Sequence, residues 1–563
     1  RFSYIHDDMG VKCQHNLVGA ILIYLSTSRY GAGLSPDSVN YIGIARNLIT
    51  GAGFISYDGS PTVLWPPLYP ALLALVGGTF ETDPLLLANV VNALIFGLIL
   101  QRDFISVGVR GTAAPAHVPF LVRRGEAAPH QKGDFGGAKP RRASLSRGCL
   151  VVVLIVYVGG GLTFKHFSSF PALAVVGTLA ILVSSLLFSV SVMAWSEPLF
   201  IFFVLLCLIF ADSYLSKKDT TSLILLSSSL TRYIGVTLIL WGALIIVVFH
   251  RDSFKSRIAH LSLFIVISTL PVGIWLIRNY AISSTLFGPR GSSVYTLSQN
   301  LTYVFNTLLY WYIPGRIAEH RSILMIVSAG VCLFAGLSLR DGWQGMKVRL
   351  RQISPLVLFA IIYTAFLVIS STTTAYDRIG DRLLSPVYVP LTLLLLILAQ
   401  ALVDPYRKRF SKKIVNSFLV IGIVIWLVYP IRSTILKAVN LISFGEGYSG
   451  KAWMDSETVQ YLLQHRTLES ECTFYTNGPD AAYILADLAT KMSPARTRYN
   501  SPETVNDISR LKGSWPEESN ACLVWFNKIG RTYLFTIDEL QAIANIDLIA
   551  RLEDGAIYST TRK

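Results

Sequence analysis

The sequence predicts a mostly α-helical bundle of membrane-spanning helices with a small α/β domain at its C-terminal end. Three observations predict it. Only 15% of the 563 residues are charged and 52% are hydrophobic, where soluble domains carry about 25% charged residues; the mean hydropathy is +0.51. Apolar runs near membrane-spanning length follow one another closely from residue 16 to residue 431. Beyond residue 432 the composition turns polar, and strand-like and helix-like runs alternate.

About 11 spans are expected, at 16–33, 84–100, 170–193, 196–215, 220–231, 233–250, 258–278, 322–339, 354–372, 385–403 and 414–431. With the N-terminus in the cytoplasm, the inner loops hold Lys217 and Lys218, then Arg251, Lys255 and Arg257, then Arg340, Lys347, Arg349 and Arg351, and finally Arg407–Arg409 with Lys412 and Lys413. That distribution satisfies the positive-inside rule. It sends 34–83, the turn at 194–195, the Arg232 turn, 279–321, 373–384 and the tail after 432 to the non-cytoplasmic side of the cell (inner) membrane. The net charge of +15 follows from these loops. Nucleic acid is not an expected partner, since no base-stacking or groove-reading element is present. Residues 16–33 lack a small-residue cleavage site and read as a retained first helix. The run at 220–231 is short for a ~30 Å hydrocarbon core. Residues 101–148 are polar, aperiodic and rich in Gly, Ala, Pro and Arg. They read either as an insertion or frame artefact in the second helix or as a basic cytoplasmic loop.

The chemistry-bearing residues gather in the outer loops. In the first, Val39, Ile42, Ala45 and Ile49 recur at helical spacing. The stretch 37–50 therefore reads as a helix lying along the membrane surface, with Asp37 as its cap or first-turn residue. The alternatives for Asp37 are a plain helix cap and a base for an incoming hydroxyl. The corner Trp65-Pro66-Pro67-Leu68-Tyr69-Pro70 is stiff and aromatic, as an interfacial anchor is. Glu197 follows Trp195-Ser196 between two apolar runs, and must face water or a partner. Arginines at Thr231-Arg232-Tyr233, Arg278-Asn279-Tyr280, Asp377-Arg378 and Asp381-Arg382 run against the positive-inside trend. An anionic ligand such as a lipid phosphate is one reason to keep them, since a guanidinium presents a planar fork to phosphate. Pairing with Asp377 or Asp381 is the other, and for Arg378 the better one.

The run Asp37-Ser38-Val39-Asn40-Tyr41, Ala45-Arg46-Asn47-Leu48, Gly51-Ala52-Gly53-Phe54 and Trp65-Pro66-Pro67-Leu68-Tyr69-Pro70 resembles the first outer loop of GT-C glycosyltransferases. This superfamily includes protein O-mannosyltransferases, aminoarabinose transferases and their bacterial relatives. In mannosyltransferases the proline corner reads His-Pro-Pro-Leu, where this chain has Trp65-Pro66-Pro67-Leu68. The Trp195–Pro198, Thr231–Tyr233 and Arg278–Tyr280 segments are similar to those of the bacterial relatives, so the resemblance spans most of 16–432. It implies an integral membrane glycosyltransferase that moves a sugar from a polyprenyl-phosphate donor to an acceptor hydroxyl by inverting displacement, on the non-cytoplasmic face. It implies Asp37 as the catalytic base, Glu197 as a second acidic residue and Arg382 beside the donor phosphate. Tyr41, Arg46, Trp65, Tyr69, Arg232, Tyr233 and Arg278 are then expected to bind substrate. The acceptor class (glycan, lipid or protein) and the use of a divalent metal stay open; no metal ligands are assigned. The rival expectations are a transporter or flippase of lipid-linked glycans, which should show internal repeats, and an inactive scaffold descended from an enzyme.

The six cysteines form no CxxC pair. In the tail, expected as a domain over 433–563 following a membrane domain over 1–432, Cys472 and Cys522 each open an expected strand. Helices are expected near 480–490 and 537–544, and further strands near 546–552 and 556–559, in a partly parallel sheet. If the two cysteine-bearing strands are neighbours they can be bridged in an oxidising compartment; otherwise they are independent thiols.

Overall fold

A computed structural model of the chain describes residues 18–99, 171–217, 231–249, 253–320, 353–468 and 472–563. The expected spans at 220–231 and 322–339 and the segment 101–148 lie largely or wholly outside the described residues. The first helices are α1 (Val18–Thr27), α2 (Pro36–Ile49), α3 (Leu68–Phe80), α4 (Pro84–Ile99), α5 (Pro171–Leu182), α6 (Ser185–Val192) and α7 (Glu197–Lys217). They are followed by α8 (Val236–Phe249), α9 (Phe254–Ser283), α10 (Leu297–Tyr312), α11 (Ile353–Thr373), α12 (Asp381–Arg409) and α13 (Lys412–Phe444).

Among the described residues, α9, α11, α12 and α13 are long and apolar enough to cross a membrane. Two bent pairs raise the number to six if each is one span: α3 with α4, at 111°, and α5 with α6, at 45°. At 1.5 Å per residue the 30 residues of α9 reach about 45 Å, longer than a ~30 Å hydrocarbon core. Ile274 and Ile277 on α9 and Phe418 and Ile425 on α13 are exposed. Apolar residues turned outward along a helix of this length suit lipid. The inside of the bundle is α7, whose Phe200, Val204, Cys207 and Ala211 are buried against α4, α8 and α12.

The structure departs from the sequence expectation in several places. The expected loop 34–83 contains α3, which starts inside the Trp65–Pro70 stretch that reads as a corner. Pro70 sits in the first turn, where a missing N–H costs no helix bond. The loop 279–321 likewise contains α10, started by a capping box between Thr296 and Gln299. The run 170–193 breaks where the Ser184 side chain accepts from Leu187 N–H and starts α6 anew. Helix α13 continues past residue 431 to Phe444, so the residue-432 boundary falls inside a helix. Helix α2 is enclosed by other parts of the protein. Residues Ser38 to Ala45 are all buried, because α3 and α4 cover one side and a helix of the C-terminal region covers another.

After α13 come α14 (Glu457–Gln464), β1 (Thr473–Thr476), α15 (Pro479–Ala486), β2 (Lys491–Met492), β3 (Ala521–Phe526), α16 (Ile537–Gln541), β4 (Ala544–Leu552) and β5 (Gly555–Arg562). The sheet order is β2-β1-β3-β5-β4. β1 runs parallel to β2 and β3, and β5 antiparallel to β3 and β4. Strand alternation sorts the side chains onto two faces. Phe474, Cys522, Val524 and Phe526 join a buried cluster continuous with the bundle. Tyr475 and Leu523 pack with Trp515, Phe535 and Leu540 on the other face. Because β1 lies beside β3, Cys472 and Cys522 come within 5.7 Å at Cα and form a disulfide, which removes the independent-thiol alternative.

Candidate active site

An extended segment, residues 33–35, builds the site by joining three distant parts of the chain. Gly33 N–H donates to the Val192 carbonyl at 2.8 Å, and Ala194 N–H returns a bond to the Gly33 carbonyl at 2.9 Å. On the other side Leu34 N–H donates to the Glu446 carbonyl at 3.3 Å and Tyr448 N–H to the Leu34 carbonyl at 2.9 Å. Gly447, at φ +60°, lies so close that a Cβ would strike the Leu34 backbone, a place only glycine fits. The Trp195 indole N–H then donates to Ser35 Oγ at 2.7 Å. Helices α2 and α7 therefore begin side by side. Ser35 caps α2 in a box with Ser38, Asp37 stands in its first turn, and Glu197 is the first residue of α7. Both carboxylates lie at the end of a helix where negative charge is favoured.

Arg382, in the first turn of α12, links the two acids. Its Nη2 is ion-paired with Asp37 Oδ2, and its Nε donates to Glu197 Oε1 at 2.6 Å. The guanidinium carbon lies 4.4 Å from the centre of the Trp195 ring, a cation–π contact. Arg232, just before a single 3-10 turn at Tyr233–Gly235, is also ion-paired with Glu197 Oε1 and donates to Ser196 Oγ at 3.4 Å. The Trp65 indole N–H reaches Asp37 Oδ1 at 3.1 Å. Burial by itself would raise the Asp37 carboxyl, but Arg382 and the Trp65 hydrogen bond outweigh it and hold the group below its ordinary value. Asp37 is thus ionised at neutral pH. The Glu197 side chain is 1% exposed, and its Oε2 has no hydrogen-bond partner among the described residues. Such a buried, unsatisfied oxygen costs about 1–3 kcal/mol.

Asp37, Glu197, Trp65, Arg232 and Arg382 thus come together. Tyr41 lines the back of the cluster, its hydroxyl 3.1 Å from Ser196 Oγ. The other expected binding residues make the following contacts within the protein. Tyr69 is fully buried, edge-on to Tyr41, and donates to Asn92 Oδ1 at 3.1 Å. Arg46, at the far end of α2, donates to Asp83 at 2.7 and 3.2 Å and to the Tyr483 hydroxyl at 3.2 Å, so it ties α2 to α15. Tyr233 donates to the Val63 carbonyl at 2.6 Å. Arg278 donates to the Thr62 carbonyl at 2.8 Å and to the Phe54 carbonyl at 3.3 Å, and lies over the Trp275 ring. Both hold the loop that carries Trp65. Arg378 is not paired with Asp377 or Asp381 as expected; it lies over the Tyr303 ring at 4.3 Å. Asp381 instead accepts from the Trp311 indole at 2.9 Å, and Asp377 approaches Arg382.

Sequence reasoning did not assign Ser35, Ser196 or Asp377 to the site. Ser35 carried a signal, as the serine before a helical stretch. Among the described residues, no three His, Cys, Asp or Glu side chains come together as metal ligands.

No family model matches the sequence, and no curated protein matches it either. The solved structures are informative. The bundle with its C-terminal sheet shares its overall fold with solved structures. It is similar to the crystal structures of ArnT from Cupriavidus metallidurans, one in the apo state and one bound to undecaprenyl phosphate. Each match covers 98% of this chain and 98% of that chain, with a TM-score of 0.56 and 13% sequence identity.

Proposed function

We propose that the chain is an integral membrane glycosyltransferase that takes its sugar from a polyprenyl-phosphate carrier. The observation that carries this reading is the meeting of Asp37, Glu197, Arg232 and Arg382 at the ends of apolar helices. Charges so placed are costly and mark functional sites by default. An anionic headgroup held at a bilayer edge with its tail in lipid suits a pair of arginines there. The solved relative bound to undecaprenyl phosphate has the same fold and supports that choice of donor.

In this mechanism Arg382, seconded by Arg232, holds the donor phosphate and balances the charge that grows as the phosphate leaves. An acceptor hydroxyl attacks the anomeric carbon from the opposite side, and Asp37 takes its proton. The carbon–oxygen bond to the phosphate breaks with its electron pair, giving inversion and a free polyprenyl phosphate. When phosphate draws Arg382 away, Asp37 loses a stabilising partner and becomes a stronger base. Glu197 keeps both arginines oriented. The remaining substrate contacts fall to Tyr41 and Trp65.

The reaction is assigned to the non-cytoplasmic face. Helix α12 carries Arg382 at one end and the basic turn of Arg407, Lys412 and Lys413 at the other, about 40 Å away along the helix. The positive-inside rule holds that turn in the cytoplasm. About 11 spans, with a C-terminal sheet outside the cytoplasm, complete this topology. The test uses purified protein in detergent with a panel of radiolabelled polyprenyl-phosphate sugars. Transfer that depends on Asp37 is expected; equal transfer by Asp37→Asn protein removes it as the base.

A further inference from the structure

Part of the C-terminal region reaches over the candidate site. Residues 498–503 form an arm closed by an ion pair between Arg498 and Glu503 at 3.3 Å. Glu503 Oε1 also accepts from Ser292 N–H at 2.8 Å, and Asn500 donates to the Tyr376 carbonyl at 3.1 Å. Gly291 lets the arm settle: a Cβ there would strike the Ser501 side chain. At the tip the Tyr499 hydroxyl donates to Asp377 Oδ1 at 2.5 Å. The other oxygen of Asp377 stops 3.7 Å from Arg382 Nη1, beyond hydrogen-bond reach.

The consequence lies in how the nitrogens of Arg382 are shared. Glu197 occupies Nε and Asp37 occupies Nη2. Among the described residues Nη1 makes no hydrogen bond, and the nearest oxygen of Asp377 lies 3.7 Å away. The Asp377 side chain is 46% exposed and would turn onto that nitrogen if nothing restrained it.

We infer that Tyr499 is a positioning residue that holds Asp377 back and so keeps Arg382 Nη1 open to an oxygen of an anionic lipid headgroup. This rests on the proposed role of Arg382 as the donor-phosphate partner. Burial and the negative charge of Asp377 both raise the Tyr499 phenol, so it stays a donor throughout the physiological range. Without the phenol hydroxyl, Asp377 competes with phosphate for the arginine. The competition disappears once Asp377 is made neutral.

Two readouts test it on the full-length protein in detergent. One is the affinity for undecaprenyl phosphate. The other, which needs no lipid, is the rate at which phenylglyoxal modifies Arg382, followed by peptide mass spectrometry. Tyr499→Phe is expected to weaken lipid binding about fivefold, as one weakly screened ion pair would, and to slow Arg382 modification. The Tyr499→Phe/Asp377→Asn double variant is expected to regain wild-type values in both. Unchanged values in Tyr499→Phe, or losses that the double variant fails to restore, would overturn the inference. If the wild type binds no lipid while modification rates still shift as described, the Tyr499 role stands and the donor reading falls.

Discussion

Two acid–arginine clusters among the described residues differ in how completely they are closed. In the C-terminal region Asp480, 2% exposed, accepts from Arg531 at 2.5 Å on one oxygen and from the Tyr448 hydroxyl at 2.7 Å on the other. Each carboxylate oxygen has a partner, so nothing remains to be offered to a ligand. In the candidate site Glu197 directs one oxygen at two arginines and leaves the other with no partner among the described residues. Arg382 meanwhile keeps one nitrogen only loosely engaged. The first cluster is what structural ion pairs look like when desolvation has been fully offset. The second keeps bonding capacity in reserve, as a site that exchanges partners during a reaction must.

Substitutions should separate the two. Asp37→Asn is expected to lower transfer by about 10³-fold, within the range lost with a general base, while the thermal unfolding midpoint barely moves. Asp480→Asn should do the reverse. Leaving Arg531 without a buried counter-charge is expected to cost about 3 kcal/mol of stability, measured by denaturant unfolding, with activity per folded molecule retained. If Asp480→Asn abolished transfer in folded protein, the division between the clusters would fail. Arg382→Ala is expected to weaken donor binding by about 10- to 100-fold by titration; an unchanged affinity removes its phosphate role.

A third acid sharpens the comparison by pH. Asp554 accepts from Thr458 N–H and Oγ1 and from Lys528. Burial would raise its carboxyl, but Lys528 and the hydrogen bonds from Ser456 and Thr458 bring it down to about 2. A folded value below the unfolded one stabilises the fold above about pH 4, and the contribution vanishes as pH falls toward 2. Asp554→Asn should therefore cost ~2 kcal/mol at pH 7 and almost nothing at pH 2.

Much of the C-terminal sheet was legible because strand alternation and turn residues are local signals. The strand at Cys472–Thr476 and the two near 546–552 and 556–559 fall close to β1, β4 and β5. In the bundle, Glu197, Arg232 and Arg382 stood out because charge at the end of an apolar run needs a partner. What the sequence hid was which partner. Arg46 reads like a ligand contact within the first loop, yet its hydrogen-bond partners are 37 and 437 residues away. Asp377 reads like a mate for Arg378, yet Tyr499, 122 residues on, determines where it points. Helix α3 was concealed for a different reason: it starts inside the proline corner, and Pro70 falls in its first turn, where a proline does a helix no harm.

The seam at Leu34 has a consequence for biosynthesis. Its two flanks are Met193 and Gly447, so the strip of chain leading into Asp37 finds its second neighbour only after more than 400 further residues have been made. A nascent chain arrested before Glu446 would carry both acids and both arginines with only the Val192–Ala194 side of the seam in place. Competence for the reaction should therefore arrive late in synthesis, once the ribosome has passed the last membrane helix.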